Sequence, residues 1–140
     1  MTLNLDIIRK KAGALGCDFD RIGTAAGLDG NIWATCSRHP FADPKTVGRL
    51  AAFLGCDPED ITLKVRAQRT EPCSASAVID GYRVECAMAR EDMSFDDIRD
   101  LLGFDVYSSV RHDRMREKRA EVLARALWLQ PRDIIVIHQN

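Results

Sequence analysis

Five cysteines are present, yet there is no CxxC pair and no two histidines lie three to five residues apart. Cys17, Cys36, Cys56, Cys73 and Cys86 are widely spaced and odd in number. That pattern argues against a zinc centre and against a disulfide framework. It leaves free thiols that pack as small hydrophobes. No apolar run approaches the roughly eighteen residues of a membrane span, so no membrane partner is expected. The opening Met1-Thr2-Leu3-Asn4-Leu5-Asp6 lacks the basic-then-apolar order of a secretory signal, and the expectation is a cytoplasmic protein. There is no GxSxG and no metal-spaced cluster. Gly13, Gly16, Gly23, Gly27 and Gly30 are too scattered for a phosphate-binding loop. Nothing here points to an enzyme, a cofactor or a bound metal. Neither sign of charge dominates, the net value being −1, so the total lends no support to nucleic-acid binding.

What is present is the balance of a soluble globular chain, with 46% apolar and 29% charged residues. Its 140 residues suffice for one ordinary domain or two very small ones. An internal repeat favours two. Phe19-Asp20-Arg21-Ile22 lies on Phe95-Asp96-Asp97-Ile98, and Gly27-Leu28-Asp29 lies on Gly103-Phe104-Asp105. After a short contraction, Leu50-Ala51-Ala52-Phe53-Leu54 meets Leu123-Ala124-Arg125-Ala126-Leu127. Pro58-Glu59-Asp60-Ile61 then meets Pro131-Arg132-Asp133-Ile134. The matches fall at turns, caps and core positions. The expected organisation is a first domain over 1–66, a linker over 67–77 and a second domain over 78–140.

Each copy reads as a series of short helices, so the fold class expected is all-α. Leu5, Ile8, Ala12 and Leu15 recur at helical spacing, and Gly16 suits a stop. Asp18 is a candidate cap for a second helix from Phe19 to Ala26. Gly27 suits a left-handed turn, Asp29 can cap a third helix, and His39-Pro40 ends it. Pro44 opens a fourth helix with Val47, Leu50, Ala51 and Leu54 inward. Asp57 and Asp60 read as caps around a last turn that starts at Pro58. The second copy repeats this with Ser94 as cap, a helix from Phe95 to Leu102, Gly103 as turn, Asp105 opening the third helix, and Gln130-Pro131 starting the last turn. The runs at 61–65 and 134–137 favour short β segments, and a small pairing between the two, within a chain or across a dimer, is one arrangement they allow.

The stretch Cys17-Asp18-Phe19-Asp20-Arg21-Ile22-Gly23-Thr24-Ala25-Ala26-Gly27-Leu28-Asp29 resembles the core of the λ-repressor-like (XRE/Cro/CI-type) helix-turn-helix family. The later Leu-Ala-x-x-Leu and Pro-x-Asp-Ile positions are similar to that family's fourth and fifth helices. The resemblance implies two tandem five-helix helix-turn-helix domains. It also implies a transcriptional regulator of bacterial or phage type that binds double-stranded DNA, with the third helix in the major groove.

Carried over, the resemblance puts Gly30, Asn31, Ala34 and Thr35 of copy one at base edges, with Arg38 near the phosphate backbone. In copy two it puts Val106, Tyr107, Ser108 and Arg111 at base edges. Arg114 lies near the backbone there, and Arg116 continues a basic run. Asn31 suits adenine and Arg111 suits guanine. Two units in one chain can span two half-sites about 34 Å apart, since the roughly 16 residues from 63 to 78 reach roughly 50 Å when extended. A homodimer using one copy per chain is the other arrangement.

Several residues depart from that pattern. Phe19 and Phe95 stand where the family usually has a polar residue that touches DNA, and either core or interface suits them. Gly23 suits a tight helix crossing, whereas Arg99 at the matching position is large for one. Glu91, Asp92, Asp96, Asp97, Asp100 and Asp105 make the front of copy two acidic, which repels phosphate. Arg111, His112, Arg114, Arg116, Lys118 and Arg119 then form the densest basic run. That run is either a phosphate-contacting edge or a solvated helix face paired with Asp113 and Glu117. Trp33 is expected in the core, and Trp128 between repeats or in a dimer. His39, His112 and His138 read as surface residues. A second function stands beside the first, namely an adaptor or antagonist that binds another protein and not DNA.

Overall fold

The computed structural model describes residues 1–64 and 77–136. Cys73, His138 and nearly all of the linker expected at 67–77 lie outside them. The described chain is mostly helical, with nine α-helices and four two-residue strands. Among these residues no helix is long and apolar enough to cross a membrane. The chain divides into two compact units. The first holds residues 1–64 together with Met88–Ser94, and the second holds 77–87 and 95–136.

In the first unit, β1 (Thr2–Leu3) leads into α1 (Leu5–Ala14), whose first turn is capped by the Asn4 side chain. A 3-10 turn at Phe19–Arg21 runs into the four-residue α2 (Ile22–Ala25). The single helix expected from Phe19 to Ala26 is therefore tightened at its start. Asp18 precedes it with extended backbone but accepts no capping hydrogen bond, so its expected role does not materialise. Gly27 turns the chain at φ +79°, a conformation that costs a residue with a Cβ.

Asp29 then accepts the Asn31 N–H at 3.0 Å and starts α3 (Gly30–Arg38). Asp43 does the same for Lys45 at 3.0 Å, with Pro44 in the first turn of α4 (Pro44–Leu54). Pro44 has no N–H to leave unsatisfied there. The inward stripe of α4 (Val47, Leu50, Ala51 and Leu54) packs with Ile8, Ile22, Trp33 and Ile61 in the core. Within this unit Gly48 admits a close neighbour, since a Cβ there would stand 2.1 Å from the Ala89 carbonyl oxygen. Arg49 Nε also meets Asp92 Oδ1 at 3.3 Å. After a 3-10 turn at Pro58–Asp60, β2 (Thr62–Leu63) pairs antiparallel with β1, Thr2 opposite Leu63.

The second unit opens with β3 (Ala77–Val78) and α5 (Gly81–Arg90), the last residues of which group with the first unit. Then come α6 (Phe95–Leu102), a left-handed Gly103 at φ +80°, and the five-residue α7 (Tyr107–Arg111). Next follow β4 (Arg114–Met115), α8 (Glu117–Ala126) and α9 (Pro131–Ile134). Ile79, Val84, Ile98, Val106, Leu123 and Ile134 form its core. β3 pairs antiparallel with β4, Val78 opposite Arg114.

Val65 and Ile137, the last residues of the two runs expected to be extended, lie outside the described residues. Residues 62–63 find the N-terminal strand, Ile134 is helical, and Ile135 bridges Ile79. Each extended run thus finds a partner far away in sequence, a choice that periodicity does not encode.

Candidate nucleic-acid interface

In the first unit the candidate residues sit on a helix held by one tight crossing. Gly23 lies on α2 directly beneath Trp33 of α3, and a Cβ at Gly23 would stand 2.3 Å from Trp33 Cβ. Trp33 is 4% exposed, as expected of a core residue. Its indole N–H donates to the Phe19 carbonyl at 2.9 Å, and the two rings meet edge to face at 5.2 Å. This satisfies the polar end of a buried indole. Phe19 is half-buried, and the Arg9 guanidinium lies 4.6 Å from its ring centroid. The Phe19 ring is thus shared between core and surface.

With Trp33 and Cys36 buried, α3 turns Asn31, Thr35 and Arg38 outward. Their spacing of four and then three residues puts them on one face. The Asn31 side-chain amide makes no hydrogen bond to a described residue, so its donor and acceptor pair is available. The Thr35 hydroxyl donates to the Asn31 carbonyl at 2.9 Å, which leaves it an acceptor and a methyl to present. Beside them is a recess of about 440 Å³ lined by Asn31, Ile32, Thr35, Cys36 and Phe41. Ile32 and Phe41 are each about two-fifths exposed. The sequence reading missed this apolar flank, whose signal was Phe41 in the loop after His39-Pro40. Burial pushes the Cys36 thiol above its ordinary value of 9.0, partly offset by a backbone hydrogen bond and by the chain's N-terminal charge.

The second unit seats its third helix differently. Arg99, at the position matching Gly23, is half-exposed and pairs with Asp96 at 3.5 Å and Asp100 at 3.9 Å. The close contact passes instead through Phe95 and Tyr107, whose rings meet edge to face at 5.0 Å. Phe95 is buried and Tyr107 is partly exposed, so the Tyr107 ring is engaged by its own unit. Asp105, one residue before the N-cap position of α7 at Val106, accepts the Tyr107 N–H at 2.9 Å. Ser108 and Arg111 face outward.

The basic run is gathered around a concavity. A cavity of about 300 Å³ is lined by Ser108, Ser109, His112, Arg114, Arg116 and Arg119, with Met115. Arg111 does not line it. Among the described residues none of Arg114, Arg116, Lys118 and Arg119 forms an ion pair. Asp113, considered above as a partner for the run, accepts instead from the Gly81 N–H at 2.9 Å. Arg119 lies 4.8 Å from the Phe104 ring centroid.

The eight residues therefore fall into two groups. Asn31, Thr35 and Arg38 share one helix face, while Ser108, Arg114 and Arg116 surround a cavity beside Tyr107 and Arg111. Trp128, expected between repeats or in a dimer, is 85% exposed and holds a left-handed backbone at φ +60°. Comparison with protein-family models, with curated proteins and with solved structures finds no match to this chain.

Proposed function

We propose that the protein is a transcriptional regulator that binds duplex DNA through tandem helix-turn-helix units, with α3 as the principal reader. The observation that carries this reading is the outer face of α3. It presents an unengaged Asn31 amide, Thr35 one turn on and Arg38 after it, on a helix held by the Gly23–Trp33 crossing. A rigid helix with a free amide suits bidentate contact with adenine, and Arg38 suits a phosphate. Tyr107, Ser108 and Arg111 make a shorter, weaker second reader, because α7 spans five residues and the acidic Asp96, Asp97 and Asp100 lie on the helix before it. A homodimer and a single chain on two half-sites both accommodate this reading.

The test is a titration with duplexes from the DNA beside its own coding sequence, at rising salt. The expected result is specific binding whose affinity falls steeply as salt rises. Asn31→Ala should weaken it by about 1–3 kcal/mol, more than Arg111→Ala does. Absence of binding to any duplex at low salt overturns the reading.

A second reading, a protein-binding adaptor or antagonist, draws on Trp128. An aromatic residue 85% exposed in a left-handed conformation is costly in a free surface and suits a partner. Under that reading Trp128→Ser abolishes partner binding and leaves any DNA affinity unchanged.

A further inference from the structure

We infer that the cavity of the second unit is a binding site for the terminal phosphate of a small phosphate monoester. Its walls come from three consecutive elements. The middle of α7 supplies Ser108 and Ser109, β4 supplies Arg114, and the start of α8 supplies Arg116 and Arg119, with His112 in the turn between α7 and β4. Three arginines, two serines and His112 line one space of about 300 Å³, and no acidic residue lines it. Of the two acidic residues within the run, Asp113 is bonded to the Gly81 N–H, and Glu117 is exposed and does not line the cavity.

Arg114 makes the observation more than a cluster of like charges. Its Nη2 is buried and has no hydrogen-bond acceptor among the described residues. A buried guanidinium N–H without an acceptor is costly, and an anion that drew the guanidinium into the cavity would relieve that cost. Arg119 is partly steadied by its contact with Phe104. Arg116 occupies the N-cap position of α8, where no side chain caps the first-turn N–H groups. That end of the helix also favours negative charge.

The shape selects among phosphates. A terminal phosphate carries close to two charges and three free oxygens, which matches converging guanidinium forks. An internal diester of duplex DNA carries one charge on two free oxygens and lies along a convex backbone, so it suits an exposed edge better than a recess. The volume, at the small end for ligand sites, leaves room for a phosphate and a short body. This inference does not rest on DNA binding and can hold if that reading fails.

The experiment is an NMR titration of the full chain with inorganic phosphate, against chloride at matched ionic strength. Phosphate should produce saturable shifts at the amides of Ser108, Ser109, Arg114 and Arg119, which chloride does not reproduce. Arg114→Leu should weaken phosphate binding at least tenfold. Arg116→Leu, at an exposed position outside the core, should weaken it several-fold without disturbing the fold, and Arg38→Leu in the first unit should leave it unchanged. Equal shifts with chloride, or wild-type affinity in Arg116→Leu and Arg119→Leu, overturn the inference. So does a result in which a duplex shifts these amides and inorganic phosphate does not, because the site then belongs to a DNA interface.

Discussion

α3 and α7 stand at corresponding points of the repeat, and their seating differs because of one position. In the first unit that position is Gly23, and the absent Cβ lets α2 and α3 touch at Trp33. In the second it is Arg99, which turns to solvent between Asp96 and Asp100. The second unit makes its close approach elsewhere. A Cβ at Gly81 would stand 2.1 Å from the Val110 carbonyl oxygen, so α5 and α7 meet there. A shared frame of turns and caps therefore does not impose a shared crossing. The close approach falls where a helix face lacks a side chain, at Gly23 in one unit and at Gly81 in the other.

The largest effect is expected from filling the two glycines. Helix propensity alone predicts that Gly23→Ala and Gly81→Ala each gain about 1 kcal/mol. The crossings predict the reverse, a loss of about 2 kcal/mol in each case from overpacking. Native-state hydrogen exchange locates the loss, with protection falling in α2 and α3 for Gly23→Ala and in α5 and α7 for Gly81→Ala. Arg99→Ala should stay within about 0.5 kcal/mol of wild type, as expected for an exposed ion pair. A gain from Gly23→Ala would remove the basis for a rigid α3.

A smaller effect is expected at the ends of the fourth helices. Gly55 has φ +70°, and its counterpart Trp128 has φ +60°. Gly55→Ala should cost about 1 kcal/mol, and Trp128→Gly should stabilise the second unit by a similar amount, since only glycine adopts this conformation freely. Chemical denaturation of the two variants checks the opposite signs. A loss from Trp128→Gly would mean that the indole contributes packing, and would weaken the protein-binding reading of Trp128.

The smallest effect concerns the thiols. Burial holds the Cys36 thiol above 9.0, so the unfolded chain ionises at lower pH than the folded one. The associated stability is whole below about pH 9 and declines as pH rises through the folded value. Cys36→Ala should therefore flatten the loss of stability between neutral and alkaline pH. At neutral pH, peptide mapping after alkylation should find Cys17, which is only half-buried, modified well before the buried Cys36.

The parts of the fold that were legible in the sequence are those governed by a few adjacent residues. Gly27, Gly103, Asp29, Asp105 and Pro44 act over one turn of backbone, and the structure places each in its expected role. The inward stripe of α4 and the burial of Trp33 followed from spacing. Asp18 did not cap, because the chain tightens into a 3-10 turn immediately after it. The strand partners were illegible, because two-residue strands carry almost no pattern of their own and pair with segments dozens of residues away. The candidate site was half legible. The outward face of α3 followed from its period. The basic run, by contrast, could not be told from a solvated face until α7, β4 and α8 folded its arginines around one cavity.

Short stretches of sequence specify a mostly helical chain, punctuated at particular glycines, aspartates and prolines, with copies that share this punctuation. These are local properties, set by backbone sterics and by hydrogen bonds over three or four residues. The packing of each unit settles that Gly23 meets Trp33 while Arg99 meets solvent, that the short strands pair as they do, and that Arg114, Arg116 and Arg119 line one cavity. Those outcomes depend on which faces approach within a few ångströms. That approach is settled by packing volume and by the desolvation of polar groups summed over the whole unit, and no window of sequence contains it.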